Sequence, residues 1–166
     1  YSIGEIKKEK EGAYGDTYLT IKIGDQWWMA ENLKVTHYRN GDAIPIVTEN
    51  TVWKKQTTGA YCNYDNDTDK AATYGRLYNW YAVNDPRCLA PEGWHVPSDA
   101  EWQALLDYLG VDVAGYKMRK TRNVSWDAPN APINKSGFSA LFCGCRIRNG
   151  NYDGVDLESW FWSSSE

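Results

Sequence analysis

Residues 93–102 read GWHVPSDAEW and join an aromatic turn to a complete signal for the start of a helix. Ser98 supplies a side-chain oxygen of the kind that caps helix N-termini, and Glu101, three residues later, can reach back to the cap. Pro97 keeps the chain extended just before it. Apolar side chains then recur at helical spacing and end at Gly110: Trp102, Leu105, Leu106 and Leu109. We therefore predict a helix at about residues 98–109.

Two other regions carry strand and helix patterns. Tyr18–Ile23 alternates in polarity, and a turn at residues 24–26 separates it from an aromatic stretch at 27–29. This arrangement predicts a β-hairpin. A second helix is expected near residues 73–83, with Thr73 as its cap and Asp85-Pro86 as its end.

The remaining chain indicates strands joined by loops. Residues 36–60, which include Trp53, are rich in polar and turn-forming side chains and predict a surface loop with short strands. Residues 138–142 and 160–163 have the composition of strands, and Asn149-Gly150 predicts a hairpin turn. The long stretch 121–136 is typical of a loop that is functional or poorly ordered.

Composition favours one compact domain without a nucleic-acid surface. The chain has 166 residues, a formal net charge of −4 and 24% charged residues, with acids and bases scattered along it. Neither a basic stripe nor a polybasic membrane patch is visible. No apolar run approaches the roughly 20 residues of a membrane-spanning helix. We expect an N-terminal extension or linker at residues 1–15 and a single domain at 16–166.

The aromatic composition is biased towards Trp and Tyr, with nine Trp and twelve Tyr against three Phe. Trp and Tyr combine an apolar ring with a polar tip, so they fill interiors when the tip finds a partner and serve in recognition when a face stays exposed. For any one Trp, packing in the core is the commoner role.

Several segments, read together with residues 93–102, resemble one known family. They read IGDQWWMAENL at 23–33, YGRLYNW at 74–80, GFSAL at 137–141 and WSSSE at 162–166. In this order they are similar to the Fibrobacter succinogenes major paralogous domain. That family in turn resembles C-type-lectin-like domains and the sulfatase-modifying, formylglycine-generating superfamily.

This resemblance implies an α+β, C-type-lectin-like domain with two helices flanking small, mostly antiparallel sheets and long loops. It also implies a secreted or cell-surface protein of a gut bacterium, from which the signal segment has been removed. The last C-terminal strands of the domain are expected to be missing from this chain.

The leading functional interpretation is a binding module that presents loops to a glycan or a protein. Candidate ligand-binding residues lie in the polar loop and near the C-terminal hairpin: Trp53, Asn151, Tyr152, Trp160 and Trp162. Trp160 and Trp162 are two residues apart on a predicted strand, so packing of both in the core is the alternative. A structural or assembly module, such as a surface or fimbrial tip component completed by a partner strand, is the rival interpretation.

Four cysteines, Cys62, Cys88, Cys143 and Cys145, allow three full disulfide connectivities. Cys143 and Cys145 are two apart on a predicted strand, which disfavours a bond between them. A bridge from Cys62 or Cys88 to this pair is therefore expected, and free buried thiols or a role in metal binding or catalysis are the alternatives. The superfamily resemblance adds a remote one, a copper-dependent cysteine oxidase. The sequence shows no catalytic constellation, so we predict no enzyme activity.

A weak calcium signal lies in one acidic loop. Asp65, Asp67 and Asp69 alternate as oxygen ligands do in flexible calcium loops. The loop lacks the glycine and the distal glutamate of the full pattern. Calcium is thus the one cofactor that the sequence suggests.

Overall fold

The computed structural model describes residues 17–120 and 134–165, and the backbone of a strand at 6–9. Seven strands are assigned there: β1 (Ile6–Glu9), β2 (Tyr18–Ile23), β3 (Gln26–Met29), β4 (Tyr61–Cys62), β5 (Leu77–Tyr78), β6 (Cys143–Arg146) and β7 (Tyr152–Val155). The α-helices of the same part of the chain are α1 (Asn50–Lys55), α2 (Thr68–Tyr74), α3 (Trp80–Val83), α4 (Asp99–Leu109) and α5 (Ala114–Met118). Two 3-10 turns lie at Tyr64–Asn66 and Val111–Val113.

The strands form one three-stranded and two two-stranded antiparallel sheets, in the orders β1-β2-β3, β4-β5 and β6-β7. Helices and small antiparallel sheets together confirm the α+β class. None of the described helices is long and apolar enough to cross a membrane.

The predicted hairpin at residues 18–29 is confirmed. β2 pairs with β3 through a tight turn in which Gly24 has a φ of +61°, a value that glycine adopts without strain. Ile21 and Ile23 point into the core, and Trp28 joins them from β3. The inward face of this hairpin is the surface against which α4 packs.

The predicted helix at 98–109 is confirmed as α4, with Ser98 as its cap. The Ser98 side chain accepts from the Glu101 amide, and the Glu101 carboxylate accepts from the Ser98 amide at 2.8 Å. Leu105 and Leu109 are buried against the β2-β3 hairpin, as the apolar stripe requires.

The prediction of one helix across 73–83 is wrong. α2 ends at Tyr74, because Gly75 takes a φ of +75° and lies so close to Asn32 and Leu33 that a Cβ would not fit. The next residues form β5 and pair with β4, and a separate helix, α3, starts at its own cap, Asn79. Strand pairing with a distant segment overrides the local helical pattern.

The polar region 36–60 is not all surface loop. Asn50–Lys55 forms the helix α1, which turns Trp53 inward onto a core that also holds Val47, Ala60 and Cys62. Trp53 is only 8% exposed. Its burial contradicts the expectation that a tryptophan among polar neighbours stands at the surface.

The C-terminal hairpin is confirmed as β6-β7, whereas the strands predicted at 138–142 and 160–163 do not form. In the first region only Ala140 forms a bridge, with Arg119. Next to the second region, Ser159 forms an isolated bridge with Gly144. Side-chain hydrogen bonds hold both regions in irregular conformations, for example from the Asn134 amide to Ser139. Of the predicted loop 121–136, residues 121–133 lie outside the described part.

We expect Gly144→Ala to destabilise the domain by about 2 to 5 kcal/mol. Gly144 has a φ of +62°, and a Cβ there would lie 2.6 Å from the Val155 amide nitrogen and closer still to the Asp153 carbonyl oxygen. Gly115→Ala is the matched control, because that helical glycine has open space around its Cβ position. Urea denaturation of both variants measures the difference, and equal stabilities would contradict this packing of β6 on β7.

We expect Glu101→Gln to remove part of the acid sensitivity of the fold. The hydrogen bond from the Ser98 amide lowers the pKa of Glu101 from its ordinary value of 4.5. A carboxyl with a lowered pKa in the folded state stabilises the fold above pH 4.5, and this contribution is lost as the pH falls through the folded pKa. The loss of unfolding free energy in Glu101→Gln should therefore be larger at pH 7 than at pH 3. A loss of equal size at both pH values would refute the argument.

Candidate binding cleft

The domain contains an open cleft of about 1420 Å³. Much of its lining comes from β3, the segment 89–97 with the start of α4, β6 and the segment 160–162, and further lining residues lie in β2 and in the ranges 31–33, 74–78 and 138–140. These elements come from distant stretches of the chain, so the cleft is a product of tertiary packing. We call it the aromatic cleft, because of the side chains described next.

The aromatic cleft is lined by exposed rings. Trp160 is 64% exposed, Trp162 45%, Phe161 40% and Trp27 38%. Large apolar side chains that remain exposed together are typical of an interaction surface. Trp94 adds a half-buried ring from the opposite wall.

Hydrogen bonds from indole groups fix the segment 160–162. The Trp102 Nε1–H on α4 donates to the Trp162 carbonyl oxygen at 3.1 Å, and the Trp162 Nε1–H donates to the Tyr78 carbonyl oxygen at 2.9 Å. The Trp162 ring also packs on Trp80, with 5.8 Å between ring centroids. The segment therefore presents its rings from a fixed backbone although it belongs to no strand.

Trp160 keeps a more open ring than Trp162. Its Nε1–H donates to the Glu158 carboxylate at 2.7 Å, which orients the indole without covering its faces. Since a tethered aromatic loses little conformational entropy on binding, Trp160 is well suited to stack on a ligand.

The wall at residues 90–94 is held by one arginine. The Arg39 guanidinium donates to three carbonyl oxygens, those of Ala90, Pro91 and Trp94, at distances of 2.6 to 3.1 Å. These bonds set the position of the Trp94 backbone and hence of this side of the aromatic cleft.

A hydrogen-bonded pair of side chains lies at the start of α4. His95 Nε2 lies 2.7 Å from Glu101 Oε1, and the other Glu101 oxygen accepts from Ser98. The His95 side chain is 69% exposed. The same carboxylate thus caps α4 and offers a polar edge to the aromatic cleft.

All four cysteines carry free thiols, so the disulfide predicted from Cys62 or Cys88 to the Cys143/Cys145 pair is not formed. Cys62 is fully buried, and Cys88 is exposed on a backbone with a φ of +61°. Cys143 and Cys145 line the aromatic cleft. Burial raises the pKa of the Cys62, Cys143 and Cys145 thiols, and for Cys145 the Asp153 and Glu158 carboxylates raise it further.

Three of the five predicted ligand-binding residues, Trp53, Trp160 and Trp162, line the aromatic cleft, and Asn151 and Tyr152 do not. Trp160 and Trp162 line the aromatic cleft and are exposed, which rules out the alternative that both pack in the core. Trp53 also borders the aromatic cleft, but it is only 8% exposed, with the Arg146 guanidinium 4.5 Å from its ring centroid. Asn151 and Tyr152 face other side chains, accepting from Asn50 and donating to Asn66 respectively.

Sequence reasoning missed several rings of the aromatic cleft, among them Trp27, Trp94 and Phe161. A signal existed for Trp27, since the adjacent Trp27 and Trp28 must point to opposite faces of β3. Trp28 is buried at 6% exposure and Trp27 is exposed, as this alternation requires.

The aspartates of the predicted calcium loop serve the local fold. Asp65 pairs with Lys70 at 2.7 Å, and Asp67 caps α2 by accepting from the Asp69 amide at 2.9 Å. Within residues 17–120 and 134–165 no three acidic, histidine or cysteine side chains converge on a common metal position. Calcium binding at this loop stays a prediction.

Comparison with known proteins gives the family of this chain. No curated protein and no solved structure matches it. The family model of the Fibrobacter succinogenes major domain matches residues 21–166, which include all lining residues of the aromatic cleft except Tyr18 and Thr20. The chain therefore belongs to the Fibrobacter succinogenes major domain family.

Proposed function

We propose that this domain is a secreted or cell-surface binding module whose aromatic cleft takes a glycan. The observation that carries the proposal is the group of exposed rings, Trp27, Trp160, Phe161 and Trp162, around one open cavity. A concave site with aromatic walls and a few polar groups is the usual form of a small-molecule site.

The chemistry of the walls suits a sugar. An indole face gives the apolar C–H surface of a pyranose ring a flat contact, and rigid aromatic side chains give large contact area at low entropic cost. The Glu101 carboxylate and the His95 ring stand at the rim within the same cleft and can hydrogen-bond to hydroxyl groups. A lectin-like use of the scaffold agrees with the resemblance stated from the sequence.

A second candidate is an assembly module that accepts a strand from a partner protein. β3 is an edge strand of its described sheet, and all four of its residues line the aromatic cleft. A strand added beside β3 would therefore enter the cleft. We favour the glycan, because the exposed rings of segment 160–162 provide stacking faces that backbone pairing would not need.

Trp160→Ala should weaken glycan binding by at least about 10-fold, because a stacking ring at the centre of a binding site commonly contributes 1 to 2 kcal/mol or more. The measurement is a glycan-array screen followed by titration calorimetry on the oligosaccharides that bind. Tyr81→Ala is the matched control, since Tyr81 is 46% exposed and lies outside the aromatic cleft.

Two outcomes would count against the glycan. If the folded wild-type domain bound no sugar on the array but bound extended peptides, with loss on substitution of Trp27, the assembly module would replace it. If Tyr81→Ala weakened sugar binding as much as Trp160→Ala, the aromatic cleft would not be the site.

A further inference from the structure

We propose that the glycan of the aromatic cleft carries a positively charged amino group, as an oligomer of glucosamine does, and that this group binds beside the Trp160 ring, at the Asp153 and Glu158 carboxylates. The inference rests on the proposed glycan function. It adds to that function the chemical class of the sugar and the position of its charged substituent.

Two carboxylates lie next to the exposed ring of Trp160. The indole N–H of Trp160 donates to Glu158 Oε2 at 2.7 Å. The Gly154 amide donates to Asp153 Oδ1 at 2.8 Å, and a Cβ at Gly154 would lie 3.6 Å from the carboxyl carbon of Glu158. Asp153 and Glu158 therefore flank the same glycine, and Glu158 brings this acidic pair to the edge of the Trp160 indole.

The negative charge of the acidic pair is not neutralised within the described part of the chain. Asp153 and Glu158 are both exposed, and neither forms an ion pair with a described lysine, arginine or histidine. The hydrogen bonds that they accept come from neutral N–H groups, those of Gly154 and Trp160. Such bonds leave further lone pairs and the full charge of each carboxylate available to a cation.

The same charge acts on a wall of the aromatic cleft. Burial raises the pKa of the Cys145 thiol, and the Asp153 and Glu158 carboxylates raise it further because they oppose a second negative charge beside them. Cys145 lines the aromatic cleft together with Trp160. A ligand at this end of the cleft therefore meets a negative potential, which attracts a cationic substituent.

A protonated amino sugar matches both features of this end of the cleft. Its C–H face can stack on the open indole of Trp160, which is 64% exposed, and a cation close to an indole face is attracted by the ring. The carboxylates at the edge of the indole then accept charge-assisted hydrogen bonds from the ammonium group. A neutral sugar would use the stacking contact alone, and an anionic sugar would meet like charge.

The first experiment compares oligosaccharides that differ in one substituent. Titration calorimetry measures the binding of the glucosamine hexamer, its fully N-acetylated counterpart and cellohexaose to the wild-type domain, at a pH that keeps the sugar amines protonated. We expect the glucosamine hexamer to bind at least about 4-fold more tightly than either neutral hexamer, because two exposed charge interactions contribute about 2-fold or more each. Added salt should reduce this preference.

The second experiment removes each charge and keeps its hydrogen bond. Glu158→Gln and Asp153→Asn retain a side-chain oxygen that can accept from the Trp160 indole and the Gly154 amide. Each should reduce the preference for the glucosamine hexamer over cellohexaose by roughly 2- to 5-fold. Asp112→Asn is the matched control, because it removes an exposed carboxylate that lies outside the aromatic cleft, and it should leave the preference unchanged.

The outcomes separate this inference from the proposal beneath it. If a neutral hexamer bound as tightly as the glucosamine hexamer, and Trp160→Ala weakened that binding, the charge assignment would be overturned and the glycan site kept. If Asp112→Asn reduced the preference as much as Glu158→Gln, the amine would be attracted by the net charge of the domain, and its placement beside Trp160 would be overturned.

Silence of the folded domain towards every sugar would overturn the proposed function itself and this inference with it. Binding of hexalysine in that case would make a basic peptide the ligand.

Discussion

The buried guanidinium of Arg146 is the interaction on which the arrangement of the two C-terminal strands depends. It donates to the carbonyl oxygens of Val47, Thr48 and Gly150 and to the Asn50 side chain. It also lies between two rings, 4.5 Å from the centroid of Trp53 and 4.9 Å from that of Tyr152. A buried charge is tolerated only when its donors are satisfied, and here neutral oxygens and ring faces do so. The contact joins residues 47–50 to the β6-β7 hairpin across nearly a hundred positions of sequence.

The Arg146 contacts also help to position one wall of the aromatic cleft. The segment 159–162 follows β7 after a turn at residues 156–158, and its backbone is tied to β6 by the Gly144–Ser159 bridge and to α4 by the Trp102 indole. Fixing the hairpin through Arg146 therefore fixes one end of the segment, and the capped start of α4 fixes the other. The exposed rings of Trp160 and Trp162 can remain in the cleft because the Trp102 indole and the Gly144–Ser159 bridge hold the backbone of the segment. The indole N–H of each ring also donates to a protein oxygen.

Local signals in the sequence predicted the parts of the fold that local forces determine. The capping box at Ser98 and Glu101, the turn at Gly24 and the Asn149-Gly150 hairpin all involve neighbouring residues, and all three formed as predicted. The region 73–83 was mispredicted because β5 exists only through pairing with β4, some fifteen residues away.

The residues of the candidate site also fall into those that the sequence predicted and those that depend on distant contacts. Trp160 and Trp162 were predicted for the right surface although their strand does not exist. The polar neighbours of Trp53 gave no local sign of its burial, because the Arg146 guanidinium that packs on its ring lies 93 positions further along the chain. The opposite wall of the aromatic cleft depends on Arg39 and carbonyl groups about fifty residues away, a contact without a sequence pattern of its own.

The thiols on the wall of the aromatic cleft bear on its chemistry. A thiol reacts as its thiolate, and thiolates are favoured next to cations or helix N-termini. Cys143 and Cys145 have the opposite surroundings, since burial raises the pKa of both and the Asp153 and Glu158 carboxylates oppose ionisation of Cys145. The same wall carries Trp160, whose indole binds the Glu158 carboxylate. Protonated thiols, carboxylates and open rings offer polarisable contact and hydrogen-bond acceptors, which supports the recognition of a ligand that we propose for this surface.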